Sequence, residues 1–212
     1  MTIPEVLEIF EEYTGKVNIP SRFIDLDDPS HVLCLVDIDT VRNAHRAIIE
    51  SIEEADIERH TSYANQRRED VIRTIVKGVV NYAILSHTWR RGLDRFRYRD
   101  MVSNAPRTGP GWHKLERFCH IAKTSFRCRF AWADIICIDH ENPLDRETAT
   151  QSLFDWYRNA YVCIVHLATA SDPSDMGHDA WFYRGFTLTE LLAPMRMKFY
   201  GAGWKALNDD YY

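Results

Sequence analysis

The chain has 212 residues with a formal net charge of −5, and 45% of its residues are apolar. This length and composition exclude a disordered chain and fit one folded domain with an additional segment. The acidic N-terminal stretch is unlike a secretory signal, and no apolar run is long enough to span a bilayer. Five cysteines form no CxxC pair, which favours a reducing cytoplasm over a disulfide framework: Cys34, Cys119, Cys128, Cys137 and Cys163.

Positive charge is concentrated in the middle of the chain. Residues 81–130 hold 11 Lys and Arg against 3 Asp and Glu, whereas both flanking segments are acidic. In the run 90–99, arginines alternate with Phe96 and Tyr98, a pattern compatible with nucleic acid or a phosphate-bearing ligand. A solvated loop that pairs with the acidic flanks explains the run more simply, so we expect no nucleic-acid partner.

The periodicity of apolar residues predicts the elements in chain order. The N-terminal part is predicted to hold a helix from a capping box at Thr2–Glu5, strands at Arg22–Leu26 and His31–Ile38, a helix from Thr40 to Ala55, and a helix over 71–79. From Tyr82 onward, buried strands are predicted over Tyr82–His87, Phe130–Ile138, Tyr161–Leu167 and Lys198–Tyr200. The helices between them are predicted around 115–122 and over Asp145–Tyr157, and the loops over Ser103–Gly111 and Thr169–Asp179. Such alternation indicates an α/β fold with a mostly parallel sheet flanked by helices.

The segment Trp181–Pro194 is predicted to be a largely buried helix that ends at Pro194. Its apolar positions form two adjacent stripes: Trp181, Gly185, Leu188 and Leu192, then Phe182, Phe186, Thr189 and Ala193. Tyr183, Thr187 and Glu190 remain as a narrow polar stripe. Glu190 is then either an ordinary solvated acid or, if it lies in a cleft, a candidate for charge stabilisation or base chemistry.

In an open parallel sheet, ligands collect beyond the carboxyl ends of the strands. Ser86, His87 and Trp89 lie at or after the end of one predicted strand, and Asp139 follows the next. Glu190 lies on the helix after the third. A carboxylate in this position can stabilise the oxocarbenium character of a ribosyl transfer, which makes Glu190 the best-supported candidate.

Two other constellations are weaker. Ser86 beside His87 resembles a nucleophile and a base, but adjacent strand residues point to opposite faces. A metal site would combine Cys137, Asp139 and His140 with the pair Cys119 and His120. These spacings match no strong zinc pattern, so we expect no metal.

Three segments resemble the motifs of the fungal HET (heterokaryon incompatibility) domain. Tyr82–Trp89 resembles its opening motif, Trp132–Asp139 its middle motif, and Trp181–Pro194 its third motif. The resemblance implies a cytoplasmic fungal protein whose activation triggers cell death in non-self recognition. It also divides the chain into an N-terminal helical elaboration, 1–80, packed on a HET domain, 81–212.

The HET domain is in turn similar to TIR domains, which implies a TIR-like, flavodoxin-type sheet. Phe186–Leu191 resembles the TIR helix that bears the catalytic glutamate of NAD-cleaving members, and Glu190 falls on that glutamate. The resemblance implies cleavage of NAD+ or a related nucleotide as substrate, without a cofactor. Ligand-binding residues would be Ser86, His87, Trp89, Asp139, Arg184 and Thr187.

A competing hypothesis is a non-enzymatic signalling module that triggers cell death by self-association or by recruiting partners. Arg184 and Glu190 would then be structural ion-pairing residues. Under either hypothesis we expect self-association. Because the chain ends soon after the third motif, we also expect partner effector or sensor domains.

Overall fold

The computed structural model describes residues 3–15, 18–27, 33–61, 66–89, 96–185 and 187–208. The helices within these ranges are α1 Pro4–Gly15, α2 Ile38–Glu50, α3 Glu54–His60, α4 Arg68–Val79, α5 Tyr98–Val102, α6 Gly109–Thr124, α7 Asp134–Cys137, α8 Pro143–Asn159 and α9 Thr187–Leu192. The strands are β1 Arg22–Asp25, β2 Cys34–Asp37, β3 Tyr82–His87, β4 Phe130–Trp132, β5 Val162–His166 and β6 Met197–Tyr200. Two 3-10 helices, Pro173–His178 and Ala180–Tyr183, precede α9.

The strands form one sheet in the order β2-β1-β4-β3-β5-β6. The neighbours β4, β3, β5 and β6 run parallel, whereas β1 is antiparallel to both β2 and β4. The predicted α/β class, with helices flanking the sheet, is therefore confirmed. The sheet is mixed, because the N-terminal strands add an antiparallel edge.

The order of the parallel strands reverses beside β3. From β3 the chain crosses to β4 on one side, and it then crosses back to β5 on the other side. Ser86 pairs in register with Val165, and His87 with His166, at the carboxyl ends of β3 and β5. A reversal of this kind leaves a crevice outside the strand ends, which is where ligands bind in open α/β sheets.

Helix α8 is fixed to the central strand by two buried tyrosines. The hydroxyl of Tyr157 donates to the carbonyl of Leu85 at 3.1 Å, and that of Tyr82 donates to the carbonyl of Trp156 at 2.5 Å. Both bonds lie in the core, where an unpaired hydroxyl would cost about 1–3 kcal/mol. This anchoring sets the distance between α8 and the end of β3.

The N-terminal segment contributes to the same sheet. Strand β1 pairs with β4 through Ile24 and Asp25, and the ring of Phe23 lies 5.1 Å from that of Tyr82. Arg22 forms an ion pair of 2.7 Å with Asp145 on α8. The predicted strand at Arg22–Leu26 is confirmed as β1, and the predicted strand at His31–Ile38 appears as the shorter β2, with His31 outside the described residues.

The predicted strand Phe130–Ile138 is wrong beyond Trp132. Strand β4 stops there, and Asp134 begins the short helix α7, where its Oδ1 accepts the N–H of Ile135 at 2.8 Å. A continuous apolar run does not distinguish a buried strand from a buried helical turn, because both are apolar on every side.

The single buried helix predicted over Trp181–Pro194 is also wrong. A 3-10 turn at Ala180–Tyr183 is separated from α9, and the carboxylate of Asp179 caps that turn through the N–H of Trp181 at 2.9 Å. The break changes the buried face of α9, so that Leu188 and Leu192 are each 63% exposed while Thr187 and Glu190 are buried.

Three smaller expectations also fail. The predicted loop Ser103–Gly111 ends inside α6, which begins at Gly109 with a proline in its first turn. The predicted helix Thr40–Ala55 is divided into α2 and α3, and Asp37 rather than Thr40 caps it. The predicted loop Thr169–Asp179 contains a 3-10 helix. The start of the predicted capping box and residues 90–95 lie outside the described residues.

Candidate functional site

Glu190 is connected to the end of β3 by a short chain of buried hydrogen bonds. The hydroxyl of Ser86 donates to Oε2 of Glu190 at 2.7 Å, and the indole Nε1 of Trp181 donates to the same hydroxyl at 2.6 Å. Trp181 and Ser86 are fully buried, and Glu190 is 8% exposed. A distant strand and the 3-10 turn just before α9 therefore fix the orientation of one carboxylate.

Burial raises the pKa of Glu190 above its ordinary value. The hydrogen bond from Ser86 and the positive charge of Arg184 oppose this rise, because both favour the ionised carboxylate. The negative charge of Asp134 acts in the opposite direction and favours the protonated form. Burial and Asp134 thus raise the pKa of Glu190, while Ser86 and Arg184 lower it. Such opposing effects on a pKa are typical of functional acids.

A cavity of about 250 Å³ opens beside Glu190. Helices α8 and α9, together with the segment around α7, enclose it. The residues that line it include two acids, Glu190 and Asp134, and the cation Arg184. The apolar and polar residues of α8 supply the opposite wall, through Arg146, Ala149, Thr150, Leu153 and Tyr157.

Asp134 is the second acid of this cavity. Its Oδ2 accepts the indole N–H of Trp89 at 2.8 Å, and its Oδ1 lies 3.9 Å from Nδ1 of His87. About a quarter of the side chain reaches the cavity, but surrounding protein still raises the pKa of the carboxyl group to about 6 by burial. The bond from Trp89 limits this rise, because it stabilises the ionised form.

Arg184 is a cation of the cavity whose charge acts on both acids. Its Nη1 donates to the backbone carbonyl of His87 at 2.5 Å, which holds the guanidinium at the end of β3. Its charge lowers the pKa of both Glu190 and Asp134 against the effect of burial. An arginine held in this way is suited to neutralise a carboxylate pair or to contact an anionic ligand.

His87 and Trp89 lie behind the cavity. Burial lowers the pKa of His87 well below its ordinary value, with the nearby charges of Lys114, His166 and Arg184 adding to the effect. Neither ring nitrogen of His87 has a hydrogen-bond partner among the described residues. Its ring stacks parallel to that of Trp89, with centroids 6.2 Å apart. Both side chains therefore support Asp134.

The remaining residues singled out in the sequence have local partners. Thr187 is buried at the start of α9, and its hydroxyl donates to the carbonyl of Trp181 at 2.5 Å. Asp139 accepts the N–H of Glu141 at 3.0 Å in the turn before α8 and is not among the residues that line the cavity. Ser86 reaches the cavity only through its bond to Glu190.

The part of the chain from Tyr82 to Glu190 matches a known family. The profile described as "Heterokaryon incompatibility protein (HET)" covers residues 82–190, which is just over half of the chain. The chain belongs to the HET family. The matched region starts at the first residue of β3 and ends at Glu190, so the HET motif includes Ser86, Asp134 and Arg184 as well.

One curated relative places the HET region in a much longer protein. The chain is 36% identical over 139 residues to vegetative incompatibility protein HET-E-1 of Podospora anserina. This match covers 60% of the chain but 10% of that relative, so the chain spans about a tenth of its length. No solved structure matches the chain significantly. None of the described helices is long and apolar enough to cross a membrane.

Asp134 is the acid of this cavity that reasoning from sequence misses. It lies inside the middle motif, Trp132–Asp139, but the whole segment was expected to be a strand with Asp139 at its end. The signal was present: an acid within an apolar run is costly to bury, and such acids are paired or functional. Only the early end of β4 brings this acid to the cavity.

The alternative constellations gain no geometric support. Ser86 donates to Glu190 rather than to His87, so no serine–histidine pair forms at the end of β3. Among the described residues, no group of three or more His, Cys, Asp or Glu side chains is arranged to hold a metal ion. Burial raises the pKa of the thiols of Cys119 and Cys137, which keeps both in the protonated form that binds metals poorly.

Proposed function

We propose that this HET domain is an effector of fungal non-self recognition and programmed cell death, and that it cleaves NAD+ or a related nucleotide at the N-glycosidic bond. The first part rests on membership of the HET family and on the similarity to a vegetative incompatibility protein. The second part rests on one observation: Glu190, bonded to Ser86, lines a cavity with Asp134 and Arg184.

The proposed reaction breaks the bond between the ribose C1′ and the pyridinium nitrogen. The electron pair of that bond leaves with nicotinamide, which becomes neutral, and positive charge develops on the ribose ring. The carboxylate of Glu190 stabilises this charge. A water molecule then attacks C1′ and loses one proton, which either cavity carboxylate is able to accept. The products are nicotinamide, ADP-ribose and a proton.

The cavity is large enough to hold the reacting end of the substrate but not the whole dinucleotide. Ligand pockets usually measure about 300–1,000 Å³, whereas this cavity measures about 250 Å³. It suits a nicotinamide ribose, and the remainder of a dinucleotide would extend beyond its mouth. Arg184 would face the ribose hydroxyls or the neighbouring phosphate.

The strand order supports the TIR-like part of the proposal. Counted from β3, the parallel strands follow the order 2-1-3-4, which is the flavodoxin-type order as far as the chain extends. Ligands in that fold bind beside the reversal, here between β3 and β5. Ser86 is the last residue but one of β3, and Glu190 lies on helix α9, which follows β5 in the chain.

Nicotinamide release provides the direct test. Purified protein at high concentration is incubated with NAD+, and the products are separated by chromatography. Glu190→Gln should retain the bond from Ser86 but lose about 100-fold or more of the rate. Glu147→Gln, an exposed acid on α8, is the matched control and should behave as wild type. Equal rates for wild type and Glu190→Gln would contradict the enzymatic proposal.

The alternative proposal, a non-enzymatic module that acts by self-association, is favoured by one feature. Four large apolar side chains are exposed on and just after α9: Leu188, Leu191, Leu192 and Met195. An exposed apolar patch of this kind often marks a protein–protein interface. The variant Leu188→Glu/Leu192→Glu should then reduce both assembly in sedimentation and cell killing. Killing by Glu190→Gln at the wild-type level, with loss in this double variant, would favour the alternative.

We extend the proposal to the whole protein. A chain that spans a tenth of its relative is expected to act with partner effector or sensor domains, in the cytoplasm. Residues 81–212 would form the HET unit, and residues 1–80 an elaboration packed on it. Comparing the assembly of 1–212 alone with that of the longer protein would test this division of roles.

A further inference from the structure

A second cavity lies beside Thr88, the residue that follows β3. It measures about 760 Å³ and is the larger of the two, and none of the described residues that line it also lines the Glu190 cavity. Helix α6 forms one wall, and the segments that follow β3, β5 and β6 form the other. The lining residues are Thr88, Pro110, His113, Lys114, Glu116, Arg117, His120, His166, Ala168, Ala202 and Trp204.

The wall from α6 is a basic stripe at helical spacing. His113, Lys114, Arg117 and His120 lie on one face of α6, where they line the cavity together with Pro110 and Glu116. The opposite face of α6 is apolar and packs into the core through Trp112, Leu115 and Phe118. The amphipathic pattern of α6 therefore directs its cations into the cavity.

One acid accompanies these cations. Glu116 lies 3.7 Å from Nδ1 of His113 on the neighbouring turn. Lys114 and Arg117 together outweigh this single carboxylate, so the α6 wall carries net positive charge even when its histidines are neutral. Protonation of a histidine would increase that charge. A concave surface of one sign attracts small ions of the opposite sign.

The opposite wall presents an aromatic ring in a strained position. Trp204 has a φ of +60°, a left-handed conformation that costs a residue with a side chain about 1–2 kcal/mol. Its ring lies 4.3 Å from that of His166, which lines the same cavity. Backbone strain of this kind is concentrated at ligand sites, where the remaining structure holds it in place.

Gly201 permits the close approach that positions this wall. A Cβ at this position would lie 2.5 Å from the carbonyl oxygen of Ala170. Without it, the N–H of Ala202 donates to the same oxygen at 2.9 Å. The loop after β6 is thereby joined to the loop after β5, and Trp204 is held against the cavity. These contacts hold this wall of the cavity in a defined position.

Thr88 also lines the cavity and has a polar atom that makes no hydrogen bond to a described residue. Its hydroxyl oxygen is buried and has no hydrogen-bond partner among the described residues. A buried hydroxyl without a partner costs about 1–3 kcal/mol, so its presence beside a cavity points to a ligand that supplies the bond.

We propose that this second cavity binds a small nucleotide, with its phosphates on the α6 stripe and its base against Trp204. Lys114 and Arg117 supply charge-assisted hydrogen bonds to phosphate oxygens, and Thr88 supplies a hydroxyl. The volume lies within the usual range for one such molecule. This site shares no lining residue with the Glu190 cavity, although the charge of Lys114 lowers the pKa of Asp134 there.

Calorimetric titration with two probes tests the proposal. ADP and inorganic pyrophosphate should both bind, and ADP more tightly because its base adds a stacking contact. Lys114→Gln/Arg117→Gln should weaken both probes by about tenfold or more. Trp204→Phe should weaken ADP about threefold and leave pyrophosphate unchanged. Arg59→Gln, an exposed arginine on α3, is the control for loss of a cation elsewhere on the surface and should have no effect.

Three results would overturn the proposal. The first is the absence of saturable binding of ADP and pyrophosphate at millimolar concentration to a wild type that is folded by circular dichroism. The second is ADP binding that survives Lys114→Gln/Arg117→Gln but is lost in Glu190→Gln, because the nucleotide would then occupy the other cavity. Binding that is lost in the α6 variant and retained in Glu190→Gln would support the site, whatever the outcome for NAD+ cleavage. Preferential, salt-sensitive retention of a single-stranded oligonucleotide over ADP would also contradict a small-molecule site.

Discussion

Ser86 and Glu190 are separated by 104 positions in the sequence, yet their side chains are joined by a buried hydrogen bond of 2.7 Å. The bond connects the carboxyl end of the central strand to the helix beyond its neighbour. It sets the protonation of the acid as well as its orientation, because a hydroxyl that donates to a carboxylate favours the ionised form. The first prediction concerns this bond.

Ser86→Ala should raise the pKa of Glu190 further, since the hydrogen bond that lowers it is removed. In the proposed reaction, the acid limb of the pH–rate profile for nicotinamide release should move to higher pH. The loss of the acceptor for Trp181 should also lower the free energy of unfolding by about 1–3 kcal/mol. Ser152→Ala, a buried serine on α8, is the control for a lost hydroxyl. An unchanged pH profile would show that Ser86 does not tune the acid.

Asp134→Asn should stabilise the protein at neutral pH. The folded-state pKa of about 6 exceeds the unfolded value near 3.9, so the folded protein binds this proton more tightly. Stability from this group is therefore complete below about pH 4 and is lost as the pH rises through 6. Removing the charge should raise the free energy of unfolding at pH 7.5 by roughly 1–2 kcal/mol in urea titrations.

The pH dependence gives a second measure for the same variant. Between pH 4 and 6, the unfolding free energy of Asp134→Asn should fall less steeply than that of wild type. Asp175→Asn, an exposed acid in a 3-10 helix, should leave the slope unchanged. A variant less stable than wild type at pH 7.5 would mean that the ionised carboxylate stabilises the fold.

Arg184→Gln should raise the pKa of both cavity acids, because the guanidinium favours their ionised forms. It also removes the donor to the carbonyl of His87. We expect the rate of nicotinamide release at pH 7 to fall about tenfold or more, and the acid limb of the profile to shift upward. Arg196→Gln, an exposed arginine beside Tyr161, should change neither quantity. A rate within twofold of wild type would remove Arg184 from the proposed site.

His87→Leu should make the protein less sensitive to acid. The folded-state pKa of His87 is well below 6.5, so the unfolded chain takes up a proton that the folded protein excludes. Stability from this residue is present above pH 6.5 and is lost as the pH falls below it. From pH 6.5 to 5, the variant should lose roughly 1–2 kcal/mol less than wild type. His178→Leu changes an exposed histidine and is the control, so it should lose as much unfolding free energy as wild type. An equal loss in His87→Leu and wild type would contradict the prediction.

Local pattern in the sequence was sufficient for β3, β5 and α8. Tyr82–His87 is apolar on both faces, and the central strand it forms is buried throughout. The motifs around Tyr82 and Trp181 also carry the family, and the family match ends at Glu190 itself. These conclusions follow from the sequence because each depends on neighbouring residues, whose burial is fixed by their spacing.

The tertiary structure decided where the acids of the site lie. Glu190 is on the buried side of α9 because the chain breaks between the 3-10 turn and that helix, which rotates Leu188 and Leu192 outward. Asp134 reaches the cavity because β4 stops after Trp132. Neither break is visible in hydrophobic periodicity. The cap by Asp179 on the 3-10 turn is made through polar contacts with Trp181 and Thr169, which an apolar pattern does not record. The competition between buried strand and helix depends on partners distant in sequence. The sequence alone determined the α/β class and the family, and long-range contacts determined which carboxylates share a cavity with Arg184.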